Sequence, residues 1–366
     1  MTPSLASNGI MNTTSKSDLI GCFQNVVPFE ETMPTVDAKV VDGAELIQTL
    51  DPKKSISHAL VNTFQDYADH IFIPSIQNML EQVVRLDVVW DTYRTDSLKA
   101  QTRQNRGSGT PMKVDNQSRL PVNWKNFLRC DENKESLFKL LAIAIEKFQF
   151  PPNKQVISSF GAKSLSSPVK TDISELYCSQ EEADTRLIFH AKNISDTGLK
   201  KILIQATDTD VVVIAIAMSK ILNCELWIAF GHGSKVRYIP CHIINSKLGN
   251  MLSKSLLFFH AFTGCDVCSS FHGIGKRTVW SVFNNMPNIH ELFVEITDSP
   301  DSVSPEAFEV IERFTVLLYQ KTSGLTSVNE LRKYISSQCR NIESIPPTKK
   351  PLEQKVKRAC YVAGCI

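Results

Sequence analysis

The chain has 366 residues, 42% of them hydrophobic, and its 40 Lys+Arg against 38 Asp+Glu give a formal net charge of +2. This is enough apolar material for one large domain with insertions or for two, and the overall charge argues for no particular partner, so any nucleic-acid surface must be local. The 10 Cys are scattered and not spaced as a small disulfide framework, the N-terminus lacks a charged region followed by an apolar core, and no stretch has the uninterrupted apolar length of a membrane span; reduced thiols in a nucleus or cytosol fit best, without secretion or membrane insertion.

Residues 1–37 are polar, rich in Ser and Thr and without a sustained period, which predicts a flexible N-terminal segment. Ala38–Val41 is a short strand candidate leading into Asp42-Gly43, a pair that an ordinary Asp-Gly turn explains nearly as well. From Ile56 to Val84 apolar residues recur at helical spacing (Leu60, Phe64, Ala68, Phe72, Ile76, Leu80), as one helix or one broken around Pro74. Leu86–Trp90 then reads as a strand ending in Asp91. Strand, helix and strand, with an acid after each strand, is the doubly wound pattern.

After Asp91, Arg94, Lys99, Arg103, Arg106 and Lys113 face the single acid Asp96. A helix opening at Ser97 sets Lys99, Arg103 and Arg106 on one face, either a phosphate-facing stripe or a plain solvated surface. Residues 107–119 are expected to form a mobile insert. Lys134–Phe148 has helical periodicity, Gln155–Ser158 reads as a strand, and Ser164–Asp172 as a polar linker. Gln180–Lys192 puts Glu181, Glu182 and Asp184 ahead of an apolar face of Leu187, Ile188 and Ala191, acids that suit a helix N-terminus in any case. Glu182 and Asp184 lie about 200° apart around an ideal helix, whereas Glu181 and Asp184 align. Which Glu shares a site with Asp184 stays open on sequence.

The chain is organised around Ile202–Met218, an apolar run, a polar knot and a second apolar run. Ile202–Ala206 reads as a buried strand that delivers Asp208 and Asp210 to its C-terminal end, the edge where open α/β sheets bind ligands. On extended backbone the two carboxylates point the same way, and a divalent cation resolves their repulsion. The competing reading makes Thr207 and Asp208 helix-capping residues. Cys224–Phe230 and Lys235–Ile239 are further strand candidates. Leu256–Phe262 leads into residues 263–283, which hold Asp266 and then Gly273-Ile274-Gly275-Lys276. That turn fits one whose glycines let backbone N–H groups approach a phosphate, with Lys276 and Arg277 adding charge. His260, Cys265, Cys268 and His272 also form H-x4-C-x2-C-x3-H, a zinc ligand set by count, although cramped for a closed tetrahedral site. Helices are predicted at Pro305–Gln320 and Ser327–Gln338, and a Pro- and Lys-rich linker and tail from residue 342. The expected organisation is therefore 1–37, a core over 38–262, a helical region over 263–341, and the tail 342–366.

Taken together, these motifs resemble those of the flap endonucleases and related structure-specific 5′ nucleases of the PIN-like superfamily. Val88-Val89-Trp90-Asp91 is similar to the family's strand-ending aspartate, Glu182-Ala183-Asp184 to its Glu-Ala-Glu, and Thr207-Asp208-Thr209-Asp210 to its Asp-x-Asp. Gly264-Cys265-Asp266 with Gly273-Ile274-Gly275 is similar to its Gly-x-Asp and helix–two-turn–helix segment. Leu98-Lys99 and Arg106 look like the Leu-Lys and the arginine seven residues on that reach the scissile phosphate. The match runs motif by motif over residues 38–283. Asp184 departs from a family Glu, a long segment precedes Asp42, and the region between Asp91 and Glu182 matches no known arch. The chain as a whole also resembles a group of multicopy animal proteins carrying this core, and KRACYVAGC near its end resembles a stretch after which those proteins continue, which implies truncation.

The resemblance implies an α/β fold with a doubly wound, mostly parallel sheet as a PIN-like nuclease core, and a helical C-terminal part that includes the helix–two-turn–helix. It implies two Mg²⁺ or Mn²⁺ ions held by Asp42, Asp91, Glu182, Asp184, Asp208, Asp210 and Asp266, with Lys99 and Arg106 stabilising charge on the phosphate. Arg94, Arg103, Gly273, Gly275, Lys276 and Arg277 are the expected contacts to nucleic acid, DNA with single-strand/duplex junctions. The alternative from another class is a catalytically silent scaffold on the same fold that holds nucleic acid or protein.

Overall fold

The computed structural model describes residues 2–54, 61–93, 109–168, 173–178, 183–300, 303–338 and 341–364. They form two compact units: a sheet unit of residues 29–211 and 221–242, and a helical unit of residues 1–28, 212–220 and 243–366.

The N-terminal segment is not the flexible stretch its composition predicts. It holds a two-stranded antiparallel ribbon, β1 (Ala6–Ser7) and β2 (Ile10–Met11), and a helix at Asp18–Val26. The helix exists because Leu19, Ile20, Cys22 and Phe23 make a buried stripe, and the Phe23 ring meets Trp280 edge-on at 5.7 Å.

In the sheet unit, β3 (Ala38–Asp42), β4 (Arg85–Val89), β5 (Gln155–Phe160), β6 (Lys163–Ser167), β7 (Lys201–Gln205), β8 (Glu225–Phe230) and β9 (Arg237–Pro240) build one sheet in the order β6-β5-β4-β3-β7-β8-β9. The five strands β5-β4-β3-β7-β8 pair in parallel, and β6 and β9 close the two edges antiparallel. This is the doubly wound, mostly parallel α/β sheet that the alternation of strands and helices predicts. Strand β6 occupies the segment read as a polar linker. It pairs with β5 across a tight turn at Gly161, whose φ of 55° suits glycine, and an edge strand needs few apolar residues.

One face of the sheet is packed by a helical segment running over residues 64–80 and by the helix Asp131–Lys147. Trp90, Phe138, Phe72 and Trp124 are buried between them, with Trp90 and Phe138 stacked at 4.6 Å. The segment 64–80 passes through a π-helical turn, Ala68–Phe72, where Ile73 N–H donates to Ala68 O. The wider turn falls just where Pro74 cannot donate, so the helix continues through the proline. Residues 109–119, expected to be mobile, are pinned: Met112 N–H donates to Asn133 Oδ1 at 2.8 Å, and Phe64 N–H to Ser118 O at 3.1 Å. On the other face the helix Ala183–Asp196 packs across β3, β4 and β7.

In the helical unit, Asn250–Thr263, Lys276–Asn284, Pro287–Asp298 and Pro305–Tyr319 converge on a phenylalanine cluster in which Phe259–Phe283 and Phe258–Phe293 lie 4.4 and 4.5 Å apart. The expected C-terminal linker and tail is instead a helix, Lys349–Gly364. Leu352, Val356, Ala359, Cys360 and Ala363 recur on its inner side and are buried, a helical period hidden among lysines in the sequence. No described helix is long and apolar enough to cross a membrane.

Candidate acidic metal centre

From β3 the chain steps outward through β4 to β5, then returns to β7 on the other side of β3. The crevice at the C-terminal ends of β3 and β7 is therefore the topological switch point of the sheet, where open α/β folds bind ligands. Asp42 is the last residue of β3, Asp91 lies just past β4, and Asp208 just past β7. Three neighbouring parallel strands thus end in acids at one edge, as their sequence positions predict.

Asp208 does begin a helix. Its Oδ1 accepts from Asp210 N–H at 3.0 Å, and the backbone turns at Thr209 into the buried helix Thr209–Leu222. The extended-backbone reason for aligning Asp208 with Asp210 is therefore wrong, and the capping reading holds for Asp208. Capping nonetheless brings them together, because both carboxylates sit in the first turn. Asp184 comes from the first turn of Ala183–Asp196. One ligand oxygen from each of Asp184, Asp208 and Asp210 lies within 4.8 Å of the others, and all three residues are half-buried. The positive ends of two helix dipoles offset part of the repulsion. Three carboxylates so close, offering only hard oxygen donors, suit a divalent cation of the magnesium or manganese type.

Asp42 and Asp91 organise the rim. Asp42 caps the helix Gly43–Thr49 by accepting from Glu45 N–H at 3.1 Å. Burial, followed by the neighbouring Asp91 carboxylate, pushes the Asp42 carboxyl up to about 8. Asp91 Oδ1 accepts from Ala183 N–H at 3.0 Å, capping from a distance the helix that carries Asp184. Glu45 was missed by sequence reasoning: its Oε2 accepts from Thr207 N–H at 2.8 Å, tying the β3 end to the turn that presents Asp208. Asp42-Gly43-Ala44-Glu45 matches a capping-box pattern, the signal that could have found it, although here the Glu reaches across to another strand.

Gly43 is needed for space and not for a turn. A Cβ there would lie 2.3 Å from Cε3 of the Trp90 indole, which is itself fixed by Trp90 Nε1–H donating to Ser158 Oγ at 2.9 Å. Gly43→Ala is expected to cost about 1–3 kcal/mol of stability through overpacking. A denaturant series showing no loss would mean that Trp90 yields freely.

A buried ionic network anchors the Asp184 helix. Arg85 donates to both oxygens of Asp87 at 2.8 Å and to Asn193 Oδ1 at 2.8 Å, and His190 Nδ1 lies 2.7 Å from Asp87 Oδ2. Burial pushes the Asp87 carboxyl up, but the charge and hydrogen bonds of Arg85, together with His190, bring it below its ordinary value. Nothing in the sequence pattern marked these residues.

Other predicted residues are placed differently. Arg94, Lys99, Arg103, Arg106, Glu181 and Glu182 lie outside the described residues. In the helical unit Asp266 is paired with Lys16 at 3.0 Å. Gly273 has a φ of 70°, which favours glycine, and Gly275 precedes the helix Lys276–Asn284 with nothing within 4 Å of a Cβ at either position. Lys276 is not the phosphate contact expected. It is 0% exposed, and its ammonium donates to His260 O at 2.9 Å and Thr263 Oγ1 at 2.7 Å, bracing the two helices either side of the turn. Arg277 does face solvent, 3.8 Å from Asp18. The zinc set does not assemble, since Asp184, Asp208 and Asp210 are the one such group among the described residues. His260 Nδ1 is instead 3.4 Å from the Lys276 ammonium, and His272 Nε2 is 3.5 Å from Glu343.

No protein-family model matches the chain, and no curated protein matches it significantly. Among solved structures, the catalytic core of Rad2 in complex with DNA substrate is similar in three complexes. Complex IV aligns at 11% identity and a TM-score of 0.37, over 94% of this chain and 99% of that one. Complex II aligns at 12% and 0.40, over 93% and 98%, and complex III at 12% and 0.40, over 94% and 99%. At TM-scores this low the superpositions are loose, so the site is read from this chain's own side chains.

Proposed function

We propose that the chain is a metal-dependent, structure-specific nuclease that hydrolyses phosphodiester bonds of branched or flapped DNA. One observation carries this reading: Asp184, Asp208 and Asp210 converge at the ligand-binding edge of a parallel sheet. These three hold Mg²⁺ or Mn²⁺, with Asp42 and Asp91 as further ligands, and Glu182 and Asp266 join the set on their motifs alone. A pair of such ions, when bound, supplies an activated water and charge stabilisation at the leaving oxygen. The chain's own cations do the rest. Lys99 and Arg106 oppose the charge that builds on the phosphate, while Arg94, Arg103, Arg277 and the backbone of Gly273–Gly275 hold the sugar-phosphate chain without reading sequence.

The test is cleavage of a 5′-flapped DNA by the purified protein with Mg²⁺ or Mn²⁺. Asp208→Asn with Asp210→Asn should abolish cutting while DNA binding survives. Asn preserves the helix cap and removes ligand charge at nearly constant volume, so the double variant should melt no lower than wild type. If wild type binds flapped DNA yet cuts no single-stranded, duplex or RNA substrate with either metal, the silent-scaffold reading replaces this one. Cutting that survives the double substitution places the activity elsewhere.

A further inference from the structure

The turn between the helices Asn250–Thr263 and Lys276–Asn284 carries Cys265-Asp266-Val267-Cys268. The two cysteines face each other across an isolated antiparallel bridge: Cys265 N–H donates to Cys268 O at 3.1 Å, and Cys268 N–H to Cys265 O at 3.4 Å. A reciprocally bonded antiparallel pair has its Cα atoms ~5.5 Å apart, inside the range of about 4.4–6.8 Å that a disulfide spans. The side chains converge as well, since the Cys265 thiol is the largest influence holding the Cys268 thiol protonated, well above its ordinary value. Neither is in a disulfide; Cys265 is half-exposed and Cys268 buried.

Their surroundings favour thiol chemistry over metal binding. Among the described residues no third metal-ligating side chain joins them, and His260 and His272 have other partners. Lys355 interacts electrostatically with both thiols and Arg358 with Cys268, which offsets only part of the rise that the Cys265 thiol and burial impose on Cys268. Lys355 is fixed there, 4.7 Å over the Phe271 ring with its ammonium bonded to Ser269 O. A cavity of about 860 Å³, lined in part by Ser269, Lys355 and Arg358, adjoins the turn at the residue after Cys268.

We propose that Cys265 and Cys268 are a redox-active dithiol that a hydroperoxide converts to an intramolecular disulfide. The half-exposed Cys265 thiolate attacks a peroxide oxygen, giving a sulfenic acid at Cys265 and, with hydrogen peroxide, one water. The Cys268 sulfur then attacks the Cys265 sulfur, forms the S–S bond and expels the sulfenic oxygen as a second water. Both sulfurs are oxidised, both peroxide oxygens are reduced, and the two thiol protons end in water. Asp266 lies inside the closed ring, so oxidation fixes the turn that pairs with Lys16. The proposal stands on this geometry and does not depend on the nuclease reading.

Trypsin releases both cysteines in one peptide, residues 255–276, which contains no other cysteine. Native protein titrated with hydrogen peroxide, blocked with iodoacetamide and digested should show this peptide losing two hydrogens and both alkylation sites before any other cysteine is oxidised. In Cys268→Ser the sulfenic acid should accumulate at Cys265 and be captured by dimedone, whereas Cys265→Ser should give no adduct on the peptide. Wild-type peptide that stays fully alkylated while Cys178 or Cys224 oxidises overturns the proposal. If Cys268→Ser fails to fold, the wild-type measurement decides alone.

Discussion

Asp87→Ala is expected to destabilise the protein by about 3–5 kcal/mol, the range for removing one partner of a buried ion pair. Asp87 is 0% exposed and Arg85 3%, so the guanidinium cannot turn to water when its carboxylate goes. His190, also 0% exposed, loses its Nδ1 partner at the same time, and its Nε2 already has none among the described residues. Replacing both charges, Arg85→Met with Asp87→Leu, should recover much of the loss, because the cost lies in the orphaned charge and not in the missing attraction. The network also fixes the helix that presents Asp184, so Asp87→Ala should weaken Mn²⁺ binding where the protein remains folded. Urea denaturation compares the three proteins. A single variant within 1 kcal/mol of wild type, an effect of ordinary surface size, would show that Arg85 finds another acceptor.

What was legible in the sequence followed from burial. A parallel strand covered on both faces is an apolar run, so Ile202–Ala206 announced itself, and an acid directly after such a run lands at the ligand-binding edge. Asp42, Asp91 and Asp208 were found that way. Residues whose role depends on distant partners were not. Lys276 looked like a surface cation beside a glycine turn; only the tertiary fold supplies the His260 carbonyl and Thr263 hydroxyl that bury it. Asp266 was legible as a candidate ligand from its motif, but its partner Lys16, far along the chain, was not. The helices Asp18–Val26 and Lys349–Gly364 escaped because their apolar stripes are narrow and set in polar sequence, and β6 because an edge strand exposes most of its side chains. Arg85 and Asp87 escaped for the opposite reason. Charges inside a central strand run against its apolar pattern, and they are tolerated only because they satisfy each other.

The acidic edge should also make stability depend on pH and on metal together. The Asp42 carboxyl rises from an ordinary 3.8 to about 8 on folding, through burial first and the Asp91 charge second. Between those values the folded state binds more protons than the unfolded one, so this group makes the protein less stable as pH rises from about 4 to about 8, with no further change above that. Asp42→Asn removes the term and keeps the helix cap, so its advantage in melting temperature over wild type should be absent near about pH 4 and grow toward about pH 8. A divalent cation among these acids favours the ionised carboxylate. Mn²⁺ should therefore raise the melting temperature of wild type more at about pH 8 than at about pH 6, and its binding near neutrality should release protons that titration calorimetry in buffers of different ionisation enthalpy can count. Asp42→Asn should release fewer protons. Equal Mn²⁺ stabilisation at both pH values, with the same proton count for wild type and variant, would mean that Asp42 is not linked to the metal centre.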